Sequence, residues 1–87
     1  MTKRNYDDPA YEQFRKDVLK RDGRKCMMPG CGYKKYLQVH HIKKWSTASS
    51  LRYEPSNGIT LCKNCHKSIK GQEHHYESLF MEIINAL

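Results

Sequence analysis

Apolar residues near the start of the chain fall at Tyr11, Phe14, Val18 and Leu19, a spacing of three and four that predicts an amphipathic helix. Asp8 stands where a cap belongs, Pro9 suits the first helical position, and Gly23 ends the run. The other face of this helix carries Glu12, Arg15, Lys16 and Lys20, a solvated or phosphate-facing surface. Cys26-Met-Met-Pro-Gly-Cys31 reads as a tight turn. Leu37-Gln-Val-His-His-Ile42 is short, partly apolar and holds two β-branched residues, so it reads as a strand. Ser46 to Ser50 is small and polar, hence loop, and Pro55, Asn57 and Gly58 mark a second turn. Ile59-Thr-Leu61 is a second strand leading into Cys62-Lys-Asn-Cys65-His66. Past Gly71, the stripe Tyr76, Leu79, Phe80, Ile83, Ile84 and Leu87 predicts a terminal helix, expected to pack on the first. Its apolar excess would also suit a partner or a second copy. The order is helix, knuckle, strand, loop, strand, knuckle, helix: a small α+β fold without repeats or a long linker.

Eighty-seven residues make one domain, 1–87. A chain this short buries only roughly 60% of the surface its unfolded form exposes, so it needs a staple: a metal, disulfides or a partner. The first eight residues are polar and charged where a signal peptide would be apolar, and no segment approaches the ~18 apolar residues of a membrane span. An intracellular protein without membrane contact is expected, cytoplasmic in a bacterium or a phage-infected host. Sixteen Lys+Arg against nine Asp+Glu give a net charge of +7, which attracts polyanions through counterion release. Plain solubility accounts for such a charge equally well, so a nucleic-acid reading has to rest on the site.

In a reducing compartment, paired cysteines bind metal more often than they cross-link. Cys26-x4-Cys31 and Cys62-x2-Cys65 are two clamp pairs that together supply the four thiolates of a tetrahedral zinc ion. Disulfides or free buried thiols are the alternative. Cys62-Lys-Asn-Cys65-His66 also matches a c-type haem attachment pattern, but haem would leave Cys26 and Cys31 without a purpose. Gly32 to Leu61 separates the pairs by more than the roughly 15–20 residues of a simple zinc ribbon. The insert is therefore where the chemistry should lie, and it contains His40, His41, Lys43, Lys44, Trp45 and Asn57.

Adjacent strand residues point to opposite faces, so His40 and His41 should have different tasks. His66 directly follows Cys65, so a zinc knuckle would orient its ring and bring it towards the hairpin that bears His40 and His41. That arrangement could build a second, open metal site beside the closed one. His74 and His75, near the last helix, read as surface residues.

Together, Leu37-Gln-Val-His-His-Ile42, Asn57-Gly-Ile-Thr-Leu-Cys62 and Cys65-His66 resemble the HNH endonuclease family, whose core is a ββα-metal (His-Me) finger. The match runs over a motif core of residues 26–68 and includes all four cysteines of the zinc-bearing version. The resemblance implies a ββα-metal finger with a four-cysteine structural zinc, flanked by N- and C-terminal helices. It implies His41 as the general base, Asn57 as the residue that orients it, and His40 and His66 as ligands of a catalytic divalent ion. An imidazole titrates near neutral pH and suits the base's task. The implied reaction is hydrolysis of DNA to 5′-phosphate and 3′-hydroxyl ends. Mg²⁺ prefers oxygen ligands, so a histidine pair would also suit Mn²⁺, Ni²⁺ or Co²⁺.

Many members carry a further histidine four residues after the last motif histidine. Here that position is Lys70, where a ligand is lost or a cation meets phosphate directly. Lys34, Lys35, Lys43, Lys44, Arg52, Lys63 and Lys67 surround the motif and would track phosphates, and with no base-reading module in view, weak sequence preference is expected. Small stand-alone members resemble phage proteins that act beside a packaging terminase, which makes a terminase or a homodimer an expected partner. A non-catalytic zinc-stapled adaptor for DNA or protein is the rival function. It would keep the cysteines but has no need of His41, Asn57 and His66 together.

Overall fold

The computed structural model describes residues 8–43 and 52–87. Helix α1 spans Pro9–Arg21, with the Asp8 carboxylate accepting from the Ala10 N–H at 2.9 Å. Capping satisfies one of the amides that a helix start leaves without a partner. Tyr11, Phe14, Val18 and Leu19 are its buried residues, as the spacing predicts. The chain leaves the helix through Asp22 and two residues of positive φ, Gly23 and Arg24.

Strands β1 (Leu37–His41) and β2 (Gly58–Cys62) pair antiparallel, with His40 opposite Ile59 and His41 opposite Gly58. A short 3-10 turn, Pro55–Asn57, leads into β2, and helix α2 (Lys63–Ser68) follows it without a gap. Helix α3 covers Glu73–Asn85. Strand β1 is one residue shorter than the apolar stretch suggested, and α2 occupies what looked like an irregular knuckle.

The hairpin divides the core in two. Tyr11, Phe14, Val18 and Leu19 of α1 cluster with Val39 on one face. Phe80 and Ile84 of α3 cluster with Ile42, Ile59, Leu61 and Ile69 on the other, alongside Cys26 and Cys62. The expectation that the terminal helix packs on the first is therefore corrected: α3 and α1 cover opposite faces of the hairpin. Each of these faces is apolar, and a two-stranded sheet can bury both only if a different helix lies on each.

Gly58 sets how closely α1 approaches. A Cβ there would meet Phe14 Cζ and Val18 Cγ2 at 2.8 Å. The outer edge of β2 is also closed. The buried Asp22 carboxylate accepts from the Thr60 N–H at 2.9 Å, and the Met27 N–H donates to the Thr60 carbonyl at 2.9 Å. Arg21 completes the join, pairing with Asp22 at 2.8 Å and donating to the carbonyls of Pro55 at 2.7 Å and Gly58 at 2.6 Å. Such pairing spares an edge strand from exposing its main-chain groups.

Candidate active site and metal centre

Cys26 and Cys31 lie on the turn between α1 and β1, shaped by a Cys31 N–H to Met28 carbonyl bond of 3.0 Å and by Gly30 at φ +84°. Cys62 ends β2 and caps α2, its sulfur accepting from the Cys65 N–H at 3.4 Å. The four sulfurs lie within 4.8 Å of one another, and Cys31 and Cys62 are 3.9 Å apart. All four cysteines are free, so the disulfide alternative is not what the fold adopts. A tetrahedron with metal–sulfur bonds of about 2.3 Å has edges of about 3.8 Å, which the cluster fits.

Its protonation chemistry agrees. The Cys65 N–H holds the Cys62 thiol down to about 7, whereas burial pushes the Cys26 thiol up. Burial, and then the neighbouring sulfurs, push Cys65 well above the ordinary thiol range. Sulfurs gathered this closely resist ionising together unless a cation replaces their protons. The cluster is compatible with a structural zinc.

Strand alternation sends His40 and His41 to opposite faces, as their adjacency predicts. His40 faces α2 and α3, with ring centroids 5.7 Å from Phe80 and 5.2 Å from His66. Its Nδ1 lies 3.3 Å from His66 Nε2. His66 Nδ1 in turn donates to Gln38 Oε1 at 2.5 Å. An amide oxygen can only accept, so the proton of His66 sits on Nδ1 and the lone pair of Nε2 is directed to His40. Two imidazole nitrogens on one divalent ion, each at about 2.1 Å, stand about 3.0–3.4 Å apart. The His40–His66 pair has that spacing and can hold such an ion.

His41 turns to α1 and stacks on Phe14, centroids 5.0 Å apart and planes 21° from parallel. Its Nε2 donates to the Arg52 carbonyl at 2.9 Å. That bond fixes the tautomer and leaves Nδ1 as the basic nitrogen. Asn57 is buried and acts on the main chain of Lys43: its Oδ1 accepts from the Lys43 N–H at 2.8 Å and its Nδ2 donates to the Lys43 carbonyl at 3.3 Å. With the Ile42 N–H donating to the Asn57 carbonyl at 2.8 Å, Asn57 holds the chain just past His41.

The cations anticipated for nucleic acid are dispersed in their roles. Lys43 pairs with Glu77 of α3 at 2.7 Å. Arg52 is half-buried and contributes its carbonyl to His41. Lys67 and Lys70 are exposed, and so are Lys34, Lys35 and Lys63. Lys44, Trp45 and the Ser46 to Ser50 loop lie outside the described residues. The sequence reading passed over Gln38 and Phe14, which hold the rings of His66 and His41. A signal for Gln38 existed, since a residue two before His40 shares its strand face.

A two-stranded antiparallel hairpin running directly into a short helix, with histidines of β1 and α2 meeting across it and four clustered cysteines behind, is a ββα-metal arrangement. A family model, HNH endonuclease, matches residues 26–72, just over half of the chain. The chain belongs to the HNH endonuclease family. No curated protein and no solved structure matches it. Among the described residues no helix is long and apolar enough to cross a membrane.

Proposed function

We propose that the chain is a metal-dependent DNA endonuclease that hydrolyses phosphodiester bonds to 5′-phosphate and 3′-hydroxyl ends with weak sequence preference. The observation that carries this reading is the division of labour among three histidines. His40 and His66 meet nitrogen to nitrogen at 3.3 Å on one face of the hairpin, while His41 is held by the Arg52 carbonyl on the other. In this reading His40 Nδ1 and His66 Nε2 hold Mg²⁺, Mn²⁺, Ni²⁺ or Co²⁺. Such an ion, when bound, supplies Lewis-acid stabilisation of charge on the phosphate and the leaving oxygen.

His41 acts as general base through its buried Nδ1, which takes a proton from the attacking water once substrate and water reach that end of the hairpin. The Arg52 carbonyl supports the imidazolium that results, because it accepts the Nε2 proton throughout. Phe14 sets the plane of the ring, and Asn57 sets the course of the strand end behind it. Gln38 keeps His66 in the tautomer that presents Nε2. The four cysteines would hold a zinc ion, and with it they would join the turn after α1 to the β2–α2 junction from which His66 projects. Net charge of +7 supports an anionic polymer as substrate.

The test is plasmid cleavage by the native chain and His41→Ala under each of the four metals, with EDTA as blank. Metal-dependent nicking that disappears in His41→Ala is the expected result. A folded, zinc-loaded chain that leaves plasmid intact under all four metals would favour a non-catalytic adaptor.

A further inference from the structure

Among the described residues strand β1 pairs only with β2, and along its other edge lies a groove of about 510 Å³ between α1 and His66 of α2. Tyr11, Glu12 and Arg15 of α1 form one wall, Leu37 and Val39 the floor, and Gln38 with His66 the far side. The groove therefore opens onto the histidine that is paired with His40. Arg15 is half-buried, and the only hydrogen bond of its side chain among the described residues is a long one, 3.4 Å from Nη2 to the Leu37 carbonyl. No carboxylate lies within ion-pair distance of its guanidinium among the described residues, although Glu12 stands one helical turn away. By contrast Arg21 is fully engaged by Asp22 and two carbonyls, and Lys43 by Glu77.

We infer that this groove seats the backbone of one DNA strand beside the scissile phosphate, with Arg15 anchoring a neighbouring phosphate. The inference rests on the nuclease reading for the identity of the polymer. A guanidinium offers five donors in a planar fork that matches a phosphate bidentately, and only one of the five is spoken for here. Its position in a groove that ends at His66 gives a strand one path past the metal ligands. Glu12 on the same wall opposes the anion and keeps the affinity of the groove moderate.

The edge of β1 left unpaired among the described residues also invites a peptide as a third strand. Arg15 argues against it, because the guanidinium occupies the Leu37 carbonyl that such a ladder would need. Nucleic acid, whose contacts run through phosphate rather than a main-chain ladder, is the occupant that the charges favour.

The experiment measures binding of a fluorescein-labelled 20-base-pair duplex by anisotropy, from low to moderate salt. All proteins carry His41→Ala with Mg²⁺ present, so that cleavage does not intrude, and zinc content and thermal melt check each for folding. Arg15→Ala is expected to weaken binding on the order of tenfold and to flatten the slope of log K against log salt by about 0.9, the signature of one lost phosphate contact. Arg15→Lys should keep the slope while recovering part of the affinity, and Glu12→Gln should tighten binding. Unchanged affinity and slope in folded Arg15→Ala overturn the proposal, as does a loss of affinity with the slope unchanged or no duplex binding by the parent. Arg15-dependent binding by a chain that never cuts plasmid would remove the nuclease reading and keep the groove. Cleavage by a chain whose binding ignores Arg15 would do the reverse.

Discussion

Gly58→Ala is a one-methyl change that should disturb both the fold and the ring stack that holds His41. Its added Cβ would sit 2.8 Å from Phe14 Cζ and Val18 Cγ2 and 3.2 Å from Phe14 Cε1. Neither neighbour has room to yield, since Phe14 is 2% exposed and Val18 is fully buried. Overpacking of this kind costs about 1–3 kcal/mol. Alanine recovers roughly 0.5–1 kcal/mol because Gly58 has ordinary strand dihedrals, φ −117° and ψ 146°, where glycine's extra freedom is only an entropic cost. The balance is a net loss of about 0–2.5 kcal/mol, about 1 kcal/mol at the middle of that range, which should lower the melting temperature by roughly 4–8 °C in a domain of this size. Circular dichroism in fixed excess zinc measures it, so that metal linkage does not vary between variants. Because Phe14 is also the ring on which His41 stacks, cleavage should fall more than the folded fraction does. Adding Phe14→Leu makes room for the methyl, so the double variant should be less destabilised than the sum of the two, with a coupling of about 1 kcal/mol. A Gly58→Ala protein that melts above the parent temperature would refute the close approach of α1 to β2.

Three further perturbations address other joints of the molecule. Asp22→Ala leaves Arg21 with its two carbonyl partners but no carboxylate and the Thr60 N–H without its acceptor, and should cost about 2–3 kcal/mol given that Arg21 retains some solvent, whereas Asp22→Asn keeps one acceptor and should cost less. Equal melting temperatures for the two would count against the clamp. Gln38→Leu should weaken Mn²⁺ binding at the histidine pair by about 10–100-fold with four-cysteine zinc content unchanged, and calorimetry that finds no change would remove the tautomer argument. Chelating the cluster metal should melt the hairpin and α2, because Cys26 and Cys62 share their core with Ile59, Leu61 and Phe80. Acid should do the same by protonating the thiolates, and far-UV signal that survives full titration of all four thiols would exclude a structural role for the ion.

Much of this was legible in the residues themselves, wherever the determinant is local. Asp8, Pro9 and the stripe from Tyr11 to Leu19 specify α1, because caps and helical periodicity act within a few residues. Cysteine spacing announced a four-sulfur cluster for the same reason: each clamp pair is one short loop. The period of two along a strand separated His40 from His41 without knowledge of what each would face.

What the tertiary structure alone decided depends on contacts between residues far apart in the chain. The side of the hairpin that α3 takes could not be read from its apolar stripe, since any apolar face would serve the stripe equally. That choice follows from α1 already covering the Gly58 face, where the missing side chain admits Phe14 and Val18. Lys43 looked like a free cation until Glu77 was brought to it across 34 residues. Arg15 reads in the sequence as one of four residues on a solvated or phosphate-facing helix face, and only β1 laid beside α1 gives it a groove. Residue type and spacing determine which groups can do chemistry, because those are properties of the chain. Packing determines which tautomer, which partner and which wall each group receives, because orientation is set only once the helices have closed on the two faces of the hairpin.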